Sequence, residues 1–375
     1  MQSFFIRAGA AACALSLACA SPVVAEESST RSIAPNTDSC PNSLTPPEPT
    51  TTSEALAPGQ PSPTPLPASD TTHCGVSVPA GMVVPPEVLA SAFLVVDLDT
   101  GDIVAMKDPH GRYRPASIIK VLLALVVIEE LDLNKPVQVS HESAAQDGSA
   151  VGIGEGGTYT VEQLLHGLLL ASGNDAAHAL AQELGGDEAT LRKVNDLAQS
   201  LGTTDTHVST YSGLDAPGMS SSAFDLALMY RAAFANPTFA RIVGTDHIDF
   251  PGYEGHPGYQ VWNDNGLLMN DPHGIGGKTG YTDDAHHTFV GALDRDGRRL
   301  MAILLDTTAD STRPWQQAQA LLDAAYQANS HVATLEKPAP PVEAHEETPR
   351  SESTGLIAVV GVLAALAISA VLLRR

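Results

Sequence analysis

Apolar positions concentrate in one stretch, from about Pro79 to Ser330, with strand-like runs at its ends and helix-like runs between them. Ala92 to Asp97 and Asp102 to Met106 are apolar, β-branched runs separated by Leu98-Asp99-Thr100-Gly101, which predicts a hairpin. Ser117 to Leu131 follows as a strongly apolar helix. Thr160 and Gln163 form a capping-box pattern ahead of the apolar Leu164 to Leu170. Asn174 to Leu184 reads as a helix closed by Gly185-Gly186, and another runs from near Glu188 to Leu201, stopped by Gly202. Thr288 to Leu293 and Leu300 to Asp306 predict a second hairpin around Asp294-Arg295-Asp296-Gly297. Pro314 to Asn329 then reads as a helix with proline in its first turn. The expected class is α/β, of the α+β kind: an antiparallel sheet from both ends of the domain, plus a helical lobe from its middle.

Outside this stretch the pattern changes. Residues 1–25 read as a signal peptide, with Arg7 in the n-region, an apolar run from Ala8 to Leu17 and a small-residue site at Val23-Val24-Ala25. Residues 26–78 are poor in bulky apolar side chains and studded with proline, and are expected to be a disordered Pro/Ser/Thr-rich segment. The catalytic domain is expected over 79–330, and a flexible spacer over 331–354. The uncharged run Gly355 to Leu373 would span roughly 28 Å as a helix, close to the thickness of a bilayer core. With Arg374 and Arg375 as a cytoplasmic tail, it predicts a single-pass anchor that leaves the soluble part outside the cell. Cys40 and Cys74 remain after signal removal and are a candidate disulfide in an exported chain. A net charge of -23, from 43 acidic and 20 basic residues, argues against a nucleic-acid partner. No CxxC or HExxH pattern points to a metal.

Three short motifs carry candidate chemistry. Ser117 and Lys120 stand three residues apart and so share a helix face, among Ile118, Ile119, Val121, Leu122 and Leu123. A serine needs a base to become a nucleophile, and a lysine serves only if desolvation or nearby positive charge lowers its pKa. Ser172-Gly173-Asn174 falls in the break between two predicted helices, where a hydroxyl and an amide can relay a proton and hold a peptide, although plain capping by Asn174 explains it as well. Gly276-Gly277-Lys278-Thr279-Gly280-Tyr281 offers a cation and a hydroxyl for a substrate carboxylate on a backbone kept bare by glycine.

Taken together and in this order, the motifs resemble those of the penicillin-binding proteins, and the variant Ser172-Gly173-Asn174 resembles that of the low-molecular-mass D-alanyl-D-alanine carboxypeptidases of the S11 peptidase type. The resemblance extends over about Ala90 to Asn329 and includes Tyr211-Ser212-Gly213-Leu214-Asp215. It implies a β-lactamase/penicillin-binding transpeptidase-like fold, no cofactor, peptidoglycan stem peptides as substrates and β-lactam antibiotics as ligands. It implies Ser117 as the acylated serine, Lys120 as its base, and Ser172 and Asn174 in proton transfer and substrate binding. Lys278 and Thr279 would lie near the substrate carboxylate, the N–H groups of Ser117 and Tyr281 would form the oxyanion hole, and Arg313 would help bind the carboxylate. His286 departs from the pattern, standing where a small residue is expected. A β-lactamase of the same fold is disfavoured because no Glu-x-x-x-Asn loop stands ready to activate a deacylating water. D,D-endopeptidase or transpeptidase action would use the same residues, and a non-catalytic wall-binding protein would have no need of the serine–lysine pair.

Overall fold

The structure, a computed structural model, describes residues 31–335. The expected signal peptide, and the expected membrane helix with its cytoplasmic tail, lie outside the described residues. Among the described residues no helix is long and apolar enough to cross a membrane.

Strands β1 (Val76–Ser77), β2 (Ala92–Asp97) and β3 (Asp102–Lys107) come first, and a 3-10 turn, Ala116–Ile119, leads into α1 (Lys120–Glu130). The lobe follows: β4 (Pro136–Gln138), α2 (His141–Ala144), β5 (Thr158–Thr160), α3 (Val161–Leu170), α4 (Asn174–Glu183), α5 (Asp187–Leu201), α6 (Ala223–Ala235) and α7 (Pro237–Val243). A hairpin of β6 (His247–Phe250) and β7 (Tyr259–Trp262), then α8 (Gly266–Asn270), returns the chain to the sheet. There β8 (Gly274–Thr282), β9 (His286–Arg295) and β10 (Arg298–Thr307) precede α9 (Pro314–Tyr326) and β11 (Ala333–Thr334).

The main sheet is seven-stranded and antiparallel, in the order β1-β3-β2-β10-β9-β8, with β11 also on β3. Its centre joins the two ends of the domain, Ala92 opposite Leu305 and Asp97 opposite Leu300. The two-residue period of the strands assigns the faces. Leu94, Val96, Met301 and Ile303 join the core beneath the helical lobe. Phe93, Val95, Ala302 and Leu304 meet Ala318, Leu321, Leu322 and Ala325 of α9 on the other face. Helix α1 is buried on nearly every side, as its all-round apolar sequence requires, and it sets Lys120 at the junction of sheet and lobe.

Residues 31–78 do not behave as the free disordered segment that their proline content suggests. They run over the catalytic unit, closed by a disulfide between Cys40 and Cys74. Prolines cannot complete a ladder, so the segment forms almost no regular element, yet its carbonyls are used. The Arg112 side chain donates to the carbonyls of Leu44 (2.8 Å) and Pro67, and that of Arg114 to the carbonyl of Pro47 (2.7 Å). The far boundary also moves. Val332 and Leu335 donate to the carbonyls of Ile103 and Gly101, so the compact unit continues through Leu335 and takes in the first residues assigned to the spacer.

Candidate active site

Ser117 sits in the 3-10 turn at the entrance to α1, where backbone N–H groups have no partner one turn earlier. Lys120 is fully buried one turn on. Its Nζ lies 2.8 Å from Ser117 Oγ, 2.8 Å from Asn174 Oδ1 and 2.6 Å from the Ser212 carbonyl oxygen. A neutral amine can donate to the last two and keep its lone pair for the serine proton. Burial, reinforced by the charge of Lys278, lowers the Lys120 pKa well below its ordinary value, which favours that neutral form. The Ser212 carbonyl reaches the pair because Gly213, at φ +84°, lets its loop touch the 3-10 turn; a Cβ there would come 2.2 Å from the Ala116 carbonyl oxygen.

Helix α3 ends at Leu170, and the break before α4 places Ser172 in the left-handed region, at φ +60°. Its side chain is buried and makes no hydrogen bond among the described residues. Both polar ends of Asn174 are occupied, Oδ1 by Lys120 and Nδ2 by the Asp147 carbonyl at 2.7 Å. In this geometry Asn174 fixes the base through Oδ1, and one of its two amide N–H donors goes to the Asp147 carbonyl. Asp175, which sequence reasoning passed over, accepts from the backbone N–H groups of Val151, Gly152 and Ile153 and pins their loop beside the break. Only its position at the start of a helix signalled it.

Strand β8 is the edge of the sheet and runs past Ser117. Gly280 makes the approach possible: a Cβ there would lie 3.0 Å from Ser117 N and 2.3 Å from Thr288 Oγ1. Lys278 is fully buried, with Nζ 2.9 Å from the Thr279 carbonyl and 3.4 Å from Thr279 Oγ1. Asp264 completes this corner. Its Oδ2 accepts from Thr279 Oγ1 at 2.7 Å and lies 3.9 Å from Lys278 Nζ, an ion pair without a direct hydrogen bond. Burial lowers the Lys278 pKa and Asp264 opposes that shift. Asn263 and Asn265 hold Asp264 in place, the first donating to the Val243 and Thr245 carbonyls and the second to that of Val290. The tripeptide Asn263-Asp264-Asn265 was the available signal, since asparagines before a short helix mark a pinned turn.

The family model of the S11 peptidases, D-alanyl-D-alanine carboxypeptidase, matches residues 80–309, more than half of the chain. The chain belongs to that family. It is therefore a serine-type D-Ala-D-Ala carboxypeptidase, and its mixed helices and antiparallel sheet have the penicillin-binding transpeptidase fold. It is 46% identical over 249 residues to the D-alanyl-D-alanine carboxypeptidase DacB2 of Mycobacterium tuberculosis, across 65% of this chain and 85% of that protein. It is 29% identical over 243 residues to DacF of Bacillus subtilis, across 63% of this chain but only 62% of the relative's length. Among solved structures, a D-alanyl-D-alanine carboxypeptidase of M. tuberculosis superposes with a TM-score of 0.65 at 44% identity, covering 69% of this chain and 99% of that one. The Streptomyces K15 DD-transpeptidase superposes with a TM-score of 0.62 at 27% identity, covering 66% and 100%.

Within this S11 carboxypeptidase, direct hydrogen bonds join Ser117, Lys120 and Asn174, and a separate set joins Lys278 and Thr279. Tyr281 follows on the same edge strand, its ring exposed and tilted against His287. Arg313 is exposed at the N-cap of α9, and its guanidinium enters no ion pair among the described residues. His286, which departs from the family pattern, opens β9 with φ +54° and Nδ1 2.6 Å from Asp306 Oδ1.

Proposed function

We propose that Ser117 attacks the penultimate D-Ala carbonyl of stem pentapeptides while Lys120 takes its proton. The observation that carries this is the buried Lys120 amine, 2.8 Å from Ser117 Oγ, with its other polar directions filled. The N–H groups of Ser117 and Tyr281 would hold the oxyanion, in keeping with the close run of β8 past Ser117. Ser172, whose hydroxyl has no partner among the described residues, would pass a proton to the leaving D-Ala amine. Lys278 and Thr279 would bind the terminal carboxylate, with exposed Arg313 adding charge from the rim. Water then hydrolyses the ester and regenerates Ser117. A β-lactam presents a carboxylate and a strained amide to the same groups and would acylate the same serine. Wild-type protein should gain one penicillin mass and release D-Ala from pentapeptide, and Ser117→Ala should do neither. A wild-type protein that forms no adduct and releases no D-Ala would remove the reading. An acceptor amine added to the assay separates hydrolysis from transpeptidation, which the likeness to a DD-transpeptidase makes worth measuring.

We also infer export by the residues 1–25 signal and retention by the Gly355 to Leu373 run. A chain ended before Gly355 should leave the membrane fraction and keep its activity. Continued sedimentation with membranes would place the anchor elsewhere.

A further inference from the structure

The family match begins at residue 80, yet the segment before it holds the side chains of Arg114, just before the nucleophile, and of Asp284, just after β8. Asp284, in the turn between β8 and β9, is buried and accepts from Thr50 N (2.6 Å), Thr50 Oγ1 (2.9 Å), Thr51 N (3.0 Å), Thr51 Oγ1 and Ser53 Oγ (2.7 Å). These donors hold its carboxyl far below the usual carboxylate range. The residue after the last donor extends the contact: Glu54 pairs with Arg114, which the Pro47 carbonyl also holds. Arg114 lies three residues before Ser117, and Asp284 three residues after Tyr281. Between them, the Pro115 carbonyl accepts from Thr288 Oγ1 of β9 at 2.8 Å. One short piece of an otherwise irregular segment therefore grips a side chain from each of the two stretches that face each other at Ser117 and Gly280.

We propose that residues Thr50 to Glu54 form a positioning clamp for acylation, holding Asp284 and Arg114 so that the Ser117 and Tyr281 N–H groups keep the spacing an oxyanion needs. This rests on the acyl-enzyme reading given above. Such a clamp acts on the step in which charge develops and leaves ground-state binding at Lys278 and Thr279 alone. Small misplacements at a reacting centre have large effects on rate, so the loss should be at least about tenfold.

The test uses the full chain and resolves penicillin acylation into its dissociation constant and its first-order acylation rate. Asp284→Asn and Thr51→Val should each lower the acylation rate at least about tenfold with the dissociation constant nearly unchanged, and Thr51→Ser should restore it. Glu54→Gln should act in the same direction through Arg114. If these variants melt at lower temperature but acylate at the wild-type rate per folded molecule, the segment is structural only and the clamp is refuted. Should Asp284→Asn fail to fold, Thr51→Val, which leaves the carboxylate its other donors, decides the matter alone. A wild-type protein that never acylates overturns the acyl-enzyme reading itself, a result distinct from variants that acylate normally.

Discussion

Of two buried lysines, Lys120 stands close enough to feel the charge of Lys278, and the chemistry asks opposite things of them. Lys120 has to be neutral to accept a proton, and burial plus the Lys278 charge push it that way. Lys278 has to stay charged to attract a carboxylate, and Asp264 works against the effect of its burial. The sign of each shift gives a prediction. Acylation should fail on the acid side as Lys120 takes a proton, with that limb below the ordinary lysine range. Lys120→Arg, which cannot deprotonate near neutrality, should cost about 10²–10⁴-fold in penicillin acylation while circular dichroism stays unchanged. Asp264→Asn removes the group that raises the Lys278 pKa, so the alkaline limb of kcat/KM should move to lower pH. An alkaline limb that stays put would show that Lys278 does not set it.

The break between α3 and α4 concentrates strain where an unbonded hydroxyl is needed. A serine at φ +60° carries roughly 1–2 kcal/mol that glycine avoids, partly offset by the freedom glycine gains in the unfolded chain. Ser172→Gly should therefore stabilise the fold by roughly 0.5–1 kcal/mol in urea titration while slowing D-Ala release. The elements around this break were legible from the chain. Thr160 and Gln163 make the reciprocal cap they spelled, and both hairpins formed at their Gly-containing turns. Strand β8 was harder to read as an element because Gly274, Gly276, Gly277 and Gly280 erase alternation, and the ladder to β9, with a register shift between Gly274 and Gly276, holds it in the sheet instead. Helices α6 and α7 were not anticipated, since α6 is apolar on most sides and shows no single stripe. Ser117, both lysines and Thr279 were singled out by the three motifs and the resemblance they carry, Asp264 had only its asparagine-flanked turn as a signal, and the Ser212 carbonyl owes its place to packing. The contacts of Asn174 with Lys120 and the Asp147 carbonyl could not be read from the chain, because these partners come from distant turns.

Composition misread the first part of the catalytic unit for a physical reason. Proline and threonine signal an unpacked chain when nothing else binds their backbone, and here buried arginines and Asp284 do. The Cys40–Cys74 disulfide links residues 34 apart in this segment, and loop-entropy arguments give such a closure roughly 3–4 kcal/mol. The pair Cys40→Ser and Cys74→Ser should lower the melting temperature, read by calorimetry, with an unchanged value meaning the segment is held without its cross-link. The placing of β2 beside β10 reaches further, into how the molecule comes into being. The central pairing of the sheet joins residues near 95 to residues near 302, so the loop between them must close before either strand has its neighbour. A chain that emerges N-terminus first would hold Ser117 and Lys120 long before β8, β9 and β10 exist to face them. Reactivity should then be born late and all at once: penicillin labelling of a refolding or emerging chain should appear as one slow phase that starts only after residue 307 is free, with no partly reactive species before it.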